Sequence, residues 1–202
     1  MARAPTSPPR AWQRMLSGRR LDLLDPSPFD IEIEDIAHGL ARVARWNGQT
    51  AGAHIFSVAQ HSLLVEAVAR QLREDLPART CLAILLHDAA EYVIGDMISP
   101  LKAMLNDSYK AVELRILGAV MVRFGLPPVP SAPVLKLTKS ADSVAAYHEA
   151  VTLAGFETEE ARRFFGDRVP LFGDLPTYLT PWSADEAKLR FLARFDTLLV
   201  AG

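Results

Sequence analysis

The chain has 202 residues, half of them apolar and 23% charged, with a formal net charge of −2. This is the composition of one globular domain able to bury a core. It supplies no overall basic field for nucleic acid or an anionic membrane, and no apolar run of the roughly 18 residues a bilayer-spanning helix needs. The single cysteine, Cys81, excludes an internal disulfide framework and fits a reducing, cytoplasmic setting.

In chain order, residues 1–30 read as an N-terminal extension, partly disordered. Arg3, Arg10, Arg14, Arg19 and Arg20 precede the first acid, Asp22, and Pro5, Pro8 and Pro9 lie in the stretch 1–9 expected to be disordered. Apolar residues spaced by three and four predict helices over 31–46 and 56–74. Pro77 opens a third, over 78–93, that Gly95 stops. A long amphipathic helix is expected over 106–124, up to Gly125. The proline-dense linker 126–133 cannot be helix interior. The next helix covers 134–153 and ends at Gly155, and 166–181 read as loop with short turns. Ser183-Ala-Asp-Glu186 is a capping box for a last helix to 199. No convincing strand pattern and no repeat are found. The expectation is a single all-α helical bundle over 31–199.

Polar residues on apolar faces are costly unless they have a task. His61 lies on the stripe of Leu64, Val65, Val68 and Leu72. His87 and Asp88 follow Leu85 and Leu86, and Asp142 sits on a later helix among alanines. Each alone reads as an ordinary core or turn residue. Together they can converge from three helices as two imidazoles and two carboxylates, a donor set for a divalent first-row cation with water in open positions. No thiolate joins them, which argues against a structural zinc site.

This ordered set resembles the HD-domain metal-dependent phosphohydrolases, in which four such residues hold one metal. The resemblance extends over about residues 40–150. Arg45-Trp46 precedes "SVAQHS" (57–62), and "HDAAEYVIGDMISPLK" (87–102) precedes "KSAD" (139–142), in the order and spacing of the bacterial 5′-deoxynucleotidases. It implies one divalent ion (Mn, Co, Ni, Fe or Mg) on His61, His87, Asp88 and Asp142. A metal-held water would attack phosphorus, with Asp88 and Glu91 catalytic and Glu91 the general base or acid. Arg45 would clamp phosphate, Trp46 would pack on the sugar against a 2′-hydroxyl, Asp96 would accept from the 3′-hydroxyl, and Lys102 would reach phosphate. Beside this, Arg45 and Trp46 read equally as a surface arginine and a core tryptophan, Asp96 as a turn residue, and Lys102 as solvent-facing. Residues 89–141 contain no histidine, which argues for a mononuclear centre.

Gln60 departs from the acid expected beside His61, and the stretch from Trp46 to His61 lacks an arginine. His54 is a candidate substrate-facing residue, whereas His38 and His148 have no expected role. The expected substrate is a deoxyribonucleoside 5′-monophosphate, in a cytoplasmic homodimer with no stable nucleic-acid or membrane partner. A deoxynucleoside triphosphate triphosphohydrolase and a non-catalytic nucleotide sensor are the alternatives.

Overall fold

The computed structural model describes residues 10–98, 101, 107–166 and 169–202. A small antiparallel hairpin opens it, β1 (Trp12–Arg14) pairing with β2 (Arg20–Asp22) in the register Trp12–Asp22, Gln13–Leu21, Arg14–Arg20. The helices are α1 (Ile33–Leu40), α2 (Val58–Leu72), α3 (Ala78–Leu85), α4 (Glu91–Ile94), α5 (Asp107–Arg123), α6 (Ala132–Thr152), α7 (Thr158–Phe165) and α8 (Ala184–Ala201). Short 3-10 turns occupy Pro28–Asp30, Arg45–Gly48 and Leu175–Leu179.

The all-α expectation holds apart from the hairpin, whose Leu21 is fully buried in the main core. Three-residue strands are too short to show a period of two. Ser183 caps α8 as the sequence predicts, its Oγ accepting from Glu186 N, and Ser57 Oγ caps α2 by accepting from Gln60 N, both at 3.2 Å. Two helix readings need correction. The helix expected over 31–46 ends at Leu40, and the one over 78–93 breaks at Leu86, so His87 and Asp88 lie in turns and not on a helix. The cause of the second break is local. The Ile84 carbonyl accepts from His87 N at 3.2 Å and faces His87 Nδ1 at 2.9 Å, so the acceptor that would continue the helix is occupied.

Helix α2 is the axis of the bundle. Every residue from Val58 to Ala69 is buried, and it packs against α3, α6 and α8. One apolar cluster joins α1, α2, α3, α5 and α8 around Leu40, Leu85, Phe191 and Phe195. A second lies between α2 and α6, with Phe56, Leu64, Val65, Val144 and Ala145. A helix buried on all sides must satisfy its polar residues inside the protein. Glu66 meets Arg70 and Arg194 at 3.0 and 2.6 Å. Gln60 Nε2 donates to the Tyr178 and Thr180 carbonyls at 2.7 and 2.8 Å, and its Oε1 accepts from Trp182 N at 2.9 Å. Donor and acceptor are both used, so a glutamate could not make this set of bonds. Gln60 therefore ties the 178–182 segment to the bundle axis.

Gly39 allows a close helix approach. A Cβ there would stand 2.8 Å from Tyr92 Cβ and 2.9 Å from the Tyr92 carbonyl oxygen. The missing side chain lets α1 lie against α4, the helix that opens with Glu91.

Candidate metal centre and active site

The four expected ligands arrive from three segments. His61 is in the first turn of α2, His87 and Asp88 are in the turn between α3 and α4, and Asp142 is midway along α6. One ligand atom each from His61, His87 and Asp88 falls within 4.8 Å of the others. His61 Nε2 stands 3.3 Å from an Asp142 oxygen and 3.5 Å from an Asp88 oxygen, and His87 Nε2 stands 3.2 Å from Asp88. Exposure rises from none at the His61 side chain to 42% at Asp142, so the group runs from the core to an open edge. Beside it lies a cavity of about 710 Å³ lined by Arg45, Trp46, Asp88, Glu91, Asp96 and Asp142.

The tautomers follow from the partners. His61 Nδ1 is 2.6 Å from Glu149 Oε1, and His87 Nδ1 is 2.9 Å from the Ile84 carbonyl. Both are acceptors, so each Nδ1 carries the hydrogen and each Nε2 presents a lone pair when the ring is neutral. Both Nε2 atoms are buried and neither makes a hydrogen bond. Two ring nitrogens grouped with an Asp88 oxygen, with Asp142 against His61 at the open edge, fit a divalent cation. Glu149 and Ile84 fix the rings from behind.

The segment 43–58 brings the remaining groups in. Val58 N donates to the Val43 carbonyl at 3.0 Å and Arg45 N to the Phe56 carbonyl at 2.8 Å, which closes the loop at its base. Trp46 and Asn47 take left-handed backbone angles, with φ of 56° and 50°. That conformation is strained for a tryptophan. It is held by Trp46 Nε1, which donates to Glu149 Oε2 at 2.9 Å, and by edge-to-face contacts with Phe156 and Phe165 at 5.6 and 6.2 Å. Arg45 reaches Asp96 at 3.3 Å and Glu149 at 3.6 Å.

The family model of the HD domain matches residues 58–147. Over 191 residues, the chain is 54% identical to an uncharacterized protein of Rhodobacter capsulatus, with 94% of this chain and 96% of that one covered. The chain belongs to the HD-domain family. A further relative, the uncharacterized protein YfdR of Escherichia coli, is 38% identical over 105 residues, about half of each chain. HD-domain proteins are in general metal-dependent hydrolases. The matched span contains all four expected ligands, whereas Arg45, Trp46 and Glu149 lie outside it.

Charge in this HD domain is arranged around the ligand group. Burial alone would keep His61 neutral, and Arg45 acts the same way. Glu149, Asp142 and Asp88 outweigh both and hold the His61 pKa well above its ordinary value. Burial would push the Asp88 carboxyl up, yet His87 and His61 hold it well below its ordinary value. Asp142 and Glu149 are likewise kept low against their burial, Asp142 by His61, and Glu149 by His61 and Arg45. The field is thus strongly negative and calls for a cation, either a proton on His61 or a metal in its place.

Among the expected substrate contacts, Arg45, Trp46 and Asp96 line the cavity, and so does Glu91, which is buried. Lys102 lies outside the described residues. His54 is exposed and is not among the described residues that line the cavity. Sequence reasoning did not find Glu149. The available signal was its position seven residues after Asp142, two turns along one helix face. Nor did it find Phe156, Phe164 and Phe165, which line the same cavity.

Proposed function

We propose that the chain is a divalent-metal-dependent phosphomonoesterase that hydrolyses deoxyribonucleoside 5′-monophosphates. The observation that carries this reading is the pair of buried Nε2 atoms of His61 and His87, grouped with an Asp88 oxygen and with Asp142 3.3 Å from His61, beside a cavity that Glu91 and Arg45 also line. His61, His87, Asp88 and Asp142 would hold the ion. When bound, it supplies Lewis acidity, lowering the pKa of a water and drawing charge from phosphoryl oxygens. Glu91 takes the proton of the attacking water and returns one to the leaving 5′-oxygen. Arg45, oriented by Asp96 and Glu149, presents its fork to the phosphate. Trp46, pinned by Glu149, closes the sugar side, and Asp96 keeps acceptor capacity for the 3′-hydroxyl.

Among the described lining residues Arg45 is the single cation, against Asp88, Glu91, Asp96 and Asp142. The reading includes a cytoplasmic homodimer. It is supported by apolar residues left exposed on α5 and α8, among them Leu114, Val122, Leu189 and Val200. No described helix is long and apolar enough to cross a membrane.

The test is phosphate release by metal-stripped protein resupplied with manganese, cobalt, nickel, iron or magnesium. Free phosphate from deoxyribonucleoside monophosphates, with ribonucleotides at least tenfold slower, is expected. Tripolyphosphate from deoxynucleoside triphosphates would move the function to triphosphohydrolysis. Binding of nucleotides without turnover under any metal would support a sensor.

A further inference from the structure

The cavity has a second end that the phosphate chemistry does not use. Phe156, Phe164 and Phe165 line it, all beyond the matched HD span and two of them on α7. They form one aromatic group with Trp46. Trp46 meets Phe156 and Phe165 edge-to-face, and Phe156 meets Phe164 at 6.2 Å and 83°. Ala161 is fully buried and anchors α7, yet Phe164, three residues on, is 70% exposed. An open phenylalanine beside a polar cavity is surface that a ligand can cover. Trp46 joins the two ends: its N–H is held by Glu149, behind the metal ligand His61, while its ring belongs to the aromatic group.

Resting on the nucleotide reading above, we infer that Phe164, with Phe156 and Phe165, is a platform on which the substrate's base stacks. Apart from Trp46, whose donor is engaged, Ser143 is the one uncharged hydrogen-bonding side chain among the described lining residues. The charged lining groups are assigned to the metal and phosphate end. Stacking accepts any base, because every base offers a π face. A volume of about 710 Å³ has room for a mononucleotide. The platform therefore selects an aromatic heterocycle attached to a sugar phosphate.

The test is calorimetric titration of the manganese-loaded protein with deoxynucleosides and with 2-deoxyribose, neither of which carries a phosphate to be hydrolysed. Deoxynucleosides are expected to bind at least tenfold more tightly than 2-deoxyribose. Phe164→Ala, at an exposed position that spares the fold, is expected to weaken deoxynucleoside binding by about 5- to 100-fold. Phe164→Trp is expected to retain or tighten it. Equal binding of deoxynucleoside and sugar, or indifference to Phe164→Ala, overturns the platform. Phosphate release from 2-deoxyribose 5-phosphate and from the nucleotides is read separately. Absence of turnover with Phe164-dependent binding intact would remove the nucleotidase reading and leave the platform standing.

Discussion

Glu149 is the residue whose replacement reports most on how the site is held. It is fully buried and faces three groups: His61 Nδ1 at 2.6 Å, Trp46 Nε1 at 2.9 Å and Arg45 at 3.6 Å. Glu149→Gln keeps the shape but offers one acceptor oxygen to two donors. Either the His61 or the Trp46 hydrogen must then face an amide N–H, and an orphaned buried donor costs about 1–3 kcal/mol. Loss of the carboxylate behind a histidine ligand lowers metal affinity about 10- to 100-fold, which is about 1.4–2.8 kcal/mol by the tenfold rule. The first cost falls on the fold with or without metal and the second on metal binding, so Glu149→Gln should lose both stability and manganese affinity. Glu149→Ala orphans both donors and leaves Arg45 to Asp96 alone, for about 2–6 kcal/mol of folding stability. The assay is calorimetric titration of manganese into each metal-stripped protein, with thermal unfolding as the control. Unchanged manganese affinity in Glu149→Gln, with an intact fold, would refute the claim that Glu149 orients a ligand.

Four further outcomes are expected. Glu91→Gln should retain metal but lose about 10²- to 10⁴-fold in turnover, measured as phosphate release beside metal content; normal turnover would exclude Glu91 as the proton carrier. In the metal-free protein the folded-state pKa of His61 lies above its ordinary 6.5, so its stabilisation is complete below that pH and is lost as pH rises through the folded value. The lowered carboxylates Asp88, Asp142 and Glu149 contribute fully above their ordinary 3.8 and 4.5 and add no slope in this window. Metal-free melting temperature should therefore fall from pH 6 upward, and added manganese should stabilise more at the higher pH, since it replaces the His61 proton; a metal increment that shrinks as pH rises would count against the ligand role. Gln60→Glu sets a buried carboxylate against the Tyr178 and Thr180 carbonyls, with an expected loss of about 2–5 kcal/mol in denaturant unfolding; full stability would show that the 178–182 segment is held by other means. Gly39→Ala forces α1 away from Tyr92, costing about 1–3 kcal/mol and lowering kcat through the neighbouring Glu91 more than it changes KM; native stability and kcat would show that the α1–α4 approach is not tight.

The ligand group was legible because each member stood out against an apolar helical pattern and the order His, His-Asp, Asp is itself informative. Most helices were equally legible, from apolar spacing, from Ser183 as a cap and from Gly95, Gly125 and Gly155 as stops, whereas the helix Thr158–Phe165 was not read. The turn holding His87 and Asp88 was not, because Leu85, Leu86, Ala89 and Ala90 are buried whether the chain coils or turns. Its break depends on a ring nitrogen facing the Ile84 carbonyl, which no periodicity records. Trp46 was singled out as a residue type, but its left-handed backbone and its bond to Glu149 join positions 103 residues apart. The aromatic end of the cavity was illegible for a related reason. Helix α7 has eight residues, too few for an apolar period to declare which face Phe164 and Phe165 present.

The metal centre is tested most directly by titrating manganese into the metal-stripped native chain and into His87→Ala and Asp142→Asn. Four ligands around one ion predict one manganese per chain in the native protein, at least tenfold weaker binding in Asp142→Asn, and no measurable binding in His87→Ala. Full affinity in both variants, or no binding to the native chain, would contradict a centre built on His61, His87, Asp88 and Asp142.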